Sequence, residues 1–283
     1  MTTILTIAQL TIRESQRRKI LWVGLFMGVA FLTIFGLGFH FIFADMERAS
    51  GDFGSSMTME GIARFLQMAG LYVVYFLTVM LGILIAVAAI SGEIDSHVIE
   101  SIVTKPLHRG EIILGKWLGF VVIIALYTLL LAGGTTLIVR LRSGFATPNI
   151  GYGLLIIFWQ GVIAMTITLI GGTRLSTLAN GGLAFMLFGL GFIGGWVEQI
   201  GALFRNTTAV DLGILSSLLM PVDVLWRHIT MLIVPSSLLE SGFNGPLFFA
   251  IVSQPSNAML VYAVFYVVVL LIGAIYSFTA RDF

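Results

Sequence analysis

Six stretches of this sequence run for more than twenty residues without a charged side chain. A helix rises about 1.5 Å per residue and the hydrocarbon core of a bilayer is about 30 Å thick, so about twenty apolar residues cross it. The runs are 20–44, 65–92, 117–139, 143–173, 175–197 and 241–280. Pro246 and Pro255 interrupt the last one early, so its span starts near Ala258. Six helical spans follow, over about 20–44, 66–91, 117–139, 152–173, 177–197 and 258–280. The expected fold class is an all-α integral membrane protein, one transmembrane domain over 1–283.

Composition agrees. The chain is 58% hydrophobic and 10% charged, with a mean hydropathy of +1.03. A soluble domain carries about 25% charged residues. Net charge is +1, which gives no reason to expect nucleic acid. The absence of cysteine excludes disulfides, thiolate metal sites and cysteine nucleophiles. No cleavable signal peptide is expected, because the first apolar run exceeds the 7–15 residues of such a segment.

A seventh apolar segment, 213–239, holds Asp223, Arg227 and His228 near its middle, with Pro221 and Pro235. One charge at the centre of a span costs about 2.5–3.5 kcal/mol. The segment reads as short helices that dip into the membrane or lie on it, within a long connection over 198–257. With the N-terminus inside, nine of the fifteen Lys and Arg lie inside, and Arg17-Arg18-Lys19 abuts the first span. Both termini are then cytoplasmic and 198–257 is extracytoplasmic.

Ahead of that cluster, Ile4, Ile7, Ala8 and Thr11 share one helical stripe. Residues 1–19 are therefore expected to hold a short interfacial helix on the inner leaflet.

Between the second and third spans, 93–104 divides on a helical wheel. Ile94, Val98, Ile99, Ile102 and Val103 take one half; Ser96, His97, Glu100, Ser101 and Thr104 take the other. Lys105-Pro106 stops the helix, and a new one starts at His108-Arg109. Two readings stand: a connection resting on the membrane, or a docking element whose polar face meets a cytoplasmic partner.

The stretch SGEIDSHVIESIVTKPLHRGEIILGKWLG resembles the first cytoplasmic loop of ABC-2 type permeases, the membrane subunits of ATP-driven transporters. Glu93, Ile99 and Ile102, Pro106, Arg109 and Gly115-Lys116 carry the resemblance. RESQRRKILWVG at the first span, the six-span layout, the long connection before the last span and the terminal RDF are also similar. The family often has Gly-Thr where this chain has His97-Val98. The resemblance implies an exporter of the plasma membrane, bacterial in type, with a non-catalytic permease subunit. It makes 93–109 a coupling loop that contacts a separate ABC ATPase subunit through Glu93, Ser96, His97, Glu100, Ser101, Thr104, Lys105, Pro106 and Arg109. It implies a second permease copy or a paralogue beside the chain, with ATP and Mg²⁺ in the partner and no cofactor on this chain. The short helices after the fifth span would form an outer gate.

GEIILGKW nearly spells the phosphate-binding loop G-x-x-x-x-G-K-[ST]. Such a loop follows a strand and offers a hydroxyl to Mg²⁺. Here it follows a proline corner and ends in Trp117, so it reads as helix, with Lys116-Trp117 as an interfacial anchor. Gly24/Gly28, Gly115/Gly119 and Gly191/Gly195 have the spacing that lets helices approach closely. They suit packing within the chain or, for the first and fifth spans, a dimer seam. Glu93, His97 and Glu100 share a helical face, but a partner-facing polar surface explains them better than a metal. His40 and Glu198 fall near outer span ends and are expected to reach water, with a substrate or proton-relay role as the alternative. Two other classes of function stay open: a membrane-embedded lipid-modifying enzyme, and an autonomous secondary carrier.

Overall fold

The computed structural model describes residues 2–49, 56–95, 108–147, 149–233, 253 and 255–280. Among these, every regular element is a helix: α1 (Thr2–Arg17), α2 (Lys19–Ala49), α3 (Ser56–Ala86), α4 (Ser91–Asp95), α5 (Arg109–Ser143), α6 (Ile150–Gly171), α7 (Thr177–Leu203), α8 (Thr207–Leu219), α9 (Val222–Ile233) and α10 (Ala258–Thr279). Six are long and apolar enough to cross a bilayer: α2, α3, α5, α6, α7 and α10. Several outrun the charge-free runs of the sequence. Helix α5 covers Arg109–Ser143, although its run is only 117–139. Charge marks the edge of hydrocarbon, and the helix continues past that edge. It stops at Gly144, whose φ of 71° closes the end through an N–H bond to the Arg140 carbonyl.

Helices α3, α5 and α6 form the centre. Gly82 of α3 and Gly161 of α6 let two backbones meet. A Cβ on Gly82 would lie 2.7 Å from the Gly161 carbonyl oxygen, and one on Gly161 would lie 2.7 Å from Thr78 Cγ2. Buried hydroxyls return to their own helices. Thr135, Thr166 and Thr168 donate to the carbonyls of Leu131, Val162 and Ala164 at 2.7–2.8 Å. These three hydroxyls are thereby satisfied without water, as hydrocarbon favours.

Helix α2 is peripheral, with 6% of its apolar window buried. It holds on through a ladder of i, i+4 rings, Phe31, Phe35, Phe39 and Phe43, with neighbouring centroids 4.6–6.0 Å apart. Phe39 and Phe43 are buried, with Ala63 of α3 and Val139 of α5. Phe26, Ile34 and Phe41 point outward, as do Leu126 of α5 and Phe265 of α10. An exposed apolar surface this broad is normal only for a protein solvated by lipid.

The stripe read from the N-terminal sequence lies against protein. A Cβ on Gly115 would sit 2.6 Å from Ile7 Cβ, and one on Gly119 would sit 2.8 Å from Thr11 Cβ and 2.9 Å from the Ala8 carbonyl. Ala8, Thr11 and Ser15 are buried, while Leu5 and Leu10 on the opposite side are exposed. The glycine pair of α5 is thus the groove that receives α1.

Helices α8 and α9 form a hairpin bent by 103°. Asn206 caps α8 by accepting the Ala209 N–H. The helix then runs down α7, where Gly201, Gly194 and Gly191 face Ala209, Ser216 and Met220. The break at Met220–Val222 lies level with Gly191 and Gln160, near the middles of α7 and α6. Helix α9 leads back, and its Ile233 carbonyl accepts from Arg64 of α3 at 2.9 Å.

Candidate functional site

Two groups of buried charge stand at opposite ends of the bundle. The first joins α4 to α5. Glu93 lies in the single helical turn that follows the break after α3. Lys116 lies two turns into α5, and its side chain is only 7% exposed. Its ammonium donates to Glu93 Oε1 at 2.5 Å and to the Ala89 carbonyl at 3.1 Å. The sequence suggested an interfacial anchor at Lys116-Trp117, and the structure corrects this. α4 folds back over the start of α5, so Lys116 meets a carboxylate instead of water. A buried ammonium needs such a partner. Trp117 also turns inward and donates from Nε1 to Thr166 Oγ1 of α6 at 2.9 Å.

The same region settles GEIILGKW. Gly110–Trp117 is the first two turns of α5, with Ile112 and Ile113 buried, and its N–H groups from Glu111 onward bond back along the helix. Next to it, Arg109 donates from Nη1 to the Thr279 carbonyl at 3.2 Å. The last carbonyls of a helix carry partial negative charge, and a guanidinium there is favourable. Ser91 Oγ and Thr177 Oγ1 lie 2.9 Å apart and link α4 to α7. Glu93 and Arg109 are therefore both built into the bundle. Ser96, His97, Glu100, Ser101, Thr104, Lys105 and Pro106 lie outside the described residues.

The second group joins α7 to the hairpin. Arg227 of α9 donates from Nη1 and Nη2 to the two carboxylate oxygens of Glu198 at 2.6 and 2.7 Å. Both side chains are 5% exposed. Asp223 Oδ2 lies 3.5 Å from Arg227 Nε, and Ser253 Oγ donates to Glu198 Oε1 at 2.7 Å. Gln199 reinforces the link by accepting from the Ser253 N–H at 3.2 Å. The expectation that Glu198 reaches water is corrected, because the hairpin folds over it and supplies a guanidinium. His40 is exposed, edge-on to Phe41.

Gly195 and Gly213 make the closure possible. A Cβ on Gly195 would fall 1.9 Å from Asp223 Oδ2, and one on Gly213 would fall 2.4 Å from Glu198 Cβ. Trp226 stacks on Tyr75 at 5.8 Å and meets Tyr72 edge-on at 5.0 Å. Gln160 donates to the Val222 carbonyl at the break, at 2.6 Å. The hairpin is thus tied to α3, α6 and α7 at once.

The glycines proposed for packing or a dimer seam have neighbours within the chain. Gly24 faces Leu81, and Gly28 faces Leu131 and Tyr127; Gly191 faces Met220, and Gly195 faces Asp223. The Tyr127 hydroxyl donates to the Gly24 carbonyl at 3.0 Å. Sequence reasoning missed the pairing of Glu198 with Arg227. The one available signal was an arginine inside an apolar segment, which demands a carboxylate somewhere.

A search of curated proteins finds no match. A family model described as ABC-2 family transporter protein matches residues 5–283. With six bilayer-length helices and a match over nearly the whole length, the chain belongs to the ABC-2 family of transporter proteins.

Proposed function

We propose that this chain is the permease subunit of an ATP-driven exporter in a bacterial plasma membrane, and that 93–109 is its coupling loop. The supporting observation is that both ends of that loop are fixed to transmembrane helices by charged groups. Glu93 is held by Lys116 of α5, and Arg109 by the C-terminal carbonyl of α10. A force applied by a partner to either end of the loop reaches α5 and α10 through these contacts. That is the requirement for a packed two-state element biased from outside. The permease hydrolyses nothing itself. A separate subunit with a true phosphate-binding loop closes on ATP and Mg²⁺ and pushes on 93–109. Two permease chains pair, with their termini cytoplasmic. The α8–α9 hairpin is the gate on the far side, latched by Glu198 and Arg227.

Affinity purification of the tagged chain from its native membrane tests this. A protein containing G-x-x-x-x-G-K-[ST] co-purifies in equal amount, and Glu93→Ala or Pro106→Ala lowers its retention or its ATPase stimulation. If no ATPase co-purifies and Glu93→Ala leaves transport intact, the reading fails. A carrier that works alone, or a lipid-modifying enzyme, then takes its place.

A further inference from the structure

A groove of about 360 Å³ opens on the lipid-facing side where α1, α2, α3 and α5 meet. Ile12 and Gln16 of α1 form its upper lip, with Leu25, Leu81, Leu126 and Leu130 among its walls. Tyr127 also lines it, but its hydroxyl is committed to the Gly24 carbonyl, so it presents its ring. From Val122 to Leu130 the groove follows two turns of α5, about 12 Å at 1.5 Å per residue. Its lining is almost wholly apolar.

The lip is built by specific packing. Gly115 and Gly119 seat α1 on α5 at a separation that any larger residue would prevent. That contact holds Ile12 and Gln16 in place over the groove. The segment that carries the lip is basic. Residues 2–19 contain Arg13, Arg17, Arg18 and Lys19 against one acid, Glu14, for a net +3. Arg18 is paired with Glu14 at 2.5 Å. Arg13, Arg17 and Lys19 are exposed. Trp22 stands beside them, 59% exposed, and donates from its indole to the Gln16 carbonyl at 2.8 Å. An indole with one wet edge and one apolar face marks headgroup level.

An apolar slot whose lip belongs to a basic helix, beside an indole at headgroup level, matches one kind of ligand. We propose that this groove binds one acyl chain of an anionic phospholipid whose headgroup is held by Arg13, Arg17 and Lys19. The chain exchanges contacts with neighbouring acyl chains for contacts with Leu25, Leu81, Leu126 and Leu130, so the selectivity comes from the headgroup. The headgroup gains charge-assisted hydrogen bonds from the guanidinium groups. The bound lipid then bridges α1, α2 and α5, and occupancy stiffens the seat of α1. This inference rests on the chain being an integral membrane protein and is independent of any ATPase partner.

Native mass spectrometry of the delipidated protein in detergent, titrated with phosphatidylglycerol or phosphatidylcholine of matched chains, tests it. One phosphatidylglycerol binds per chain, at least about tenfold more tightly than phosphatidylcholine. Arg13→Gln, Arg17→Gln and Lys19→Gln each weaken phosphatidylglycerol about fivefold and leave phosphatidylcholine unchanged. High salt acts as the charge variants do. Leu126→Trp, which fills the groove from an exposed position, removes the bound lipid; Val122→Phe serves if that variant does not fold. Equal affinity for the two lipids, or unchanged phosphatidylglycerol binding in the triple Gln variant, overturns the proposal. So does full binding in both groove-filling variants.

Discussion

Arg227 grips both carboxylate oxygens of Glu198, at 2.6 and 2.7 Å, across the junction of α7 and α9. The same guanidinium faces Asp223 at 3.5 Å. One cation therefore serves two buried carboxylates, and the three residues are not equivalent. Arg227→Ala leaves two uncompensated negative charges and costs about 3–5 kcal/mol. Glu198→Ala leaves Arg227 with Asp223 as partner and costs less. Thermal unfolding in detergent reads the order; a larger loss for Glu198→Ala would contradict this account.

The ion pair between Glu93 and Lys116 yields to a double-mutant cycle. Glu93→Gln and Lys116→Met each destabilise, but the double variant loses less than their sum, with a coupling of about 0.5–3 kcal/mol. Additive losses would mean that the two side chains act independently.

Glycines in the spans separate into two kinds. A Cβ on Gly82 meets a backbone carbonyl 2.7 Å away, and neither α3 nor α6 can yield locally. Gly82→Ala destabilises by about 1–3 kcal/mol through overpacking. Nothing lies within 4 Å of a Cβ on Gly189. Gly189→Ala stabilises by up to about 1 kcal/mol through helix propensity. Melting curves of the two variants move in opposite directions.

A chain without cysteine suits single-site labelling. In intact cells, a membrane-impermeant maleimide labels Asn206→Cys, in the turn before α8. It labels Thr104→Cys only after the membrane is opened. The reverse pattern would invert the proposed orientation.

Much of this architecture was legible because hydropathy reports directly on lipid. The six charge-free runs locate six helices, and the stripe of Ile4, Ile7, Ala8 and Thr11, read as resting on lipid, marks the face of α1 whose Ala8 and Thr11 are buried against α5. The partner of each face was not legible. In a soluble helix the apolar stripe points to the core, but a span is apolar on all sides, so periodicity no longer separates core from surface. Leu126 and Leu131 differ by little in sequence, yet one faces outward and the other is fully buried. The ionic contacts were hidden for a related reason. Glu93 and Lys116 are 23 residues apart and Glu198 and Arg227 are 29 apart, and each pairing exists only after the elements that carry them have packed.

The hairpin break constrains how the protein is made. At mid-depth, the carbonyls of Leu218 and Leu219 accept from the hydroxyls of Tyr262 and Tyr266, both on α10. The Val222 carbonyl accepts from Gln160 of α6. Until α10 has been synthesised and has entered the membrane, two of these three carbonyls lack their donors, and a bare carbonyl in hydrocarbon costs several kcal/mol. The seat of the hairpin is therefore complete only once α10 has supplied its two tyrosine hydroxyls.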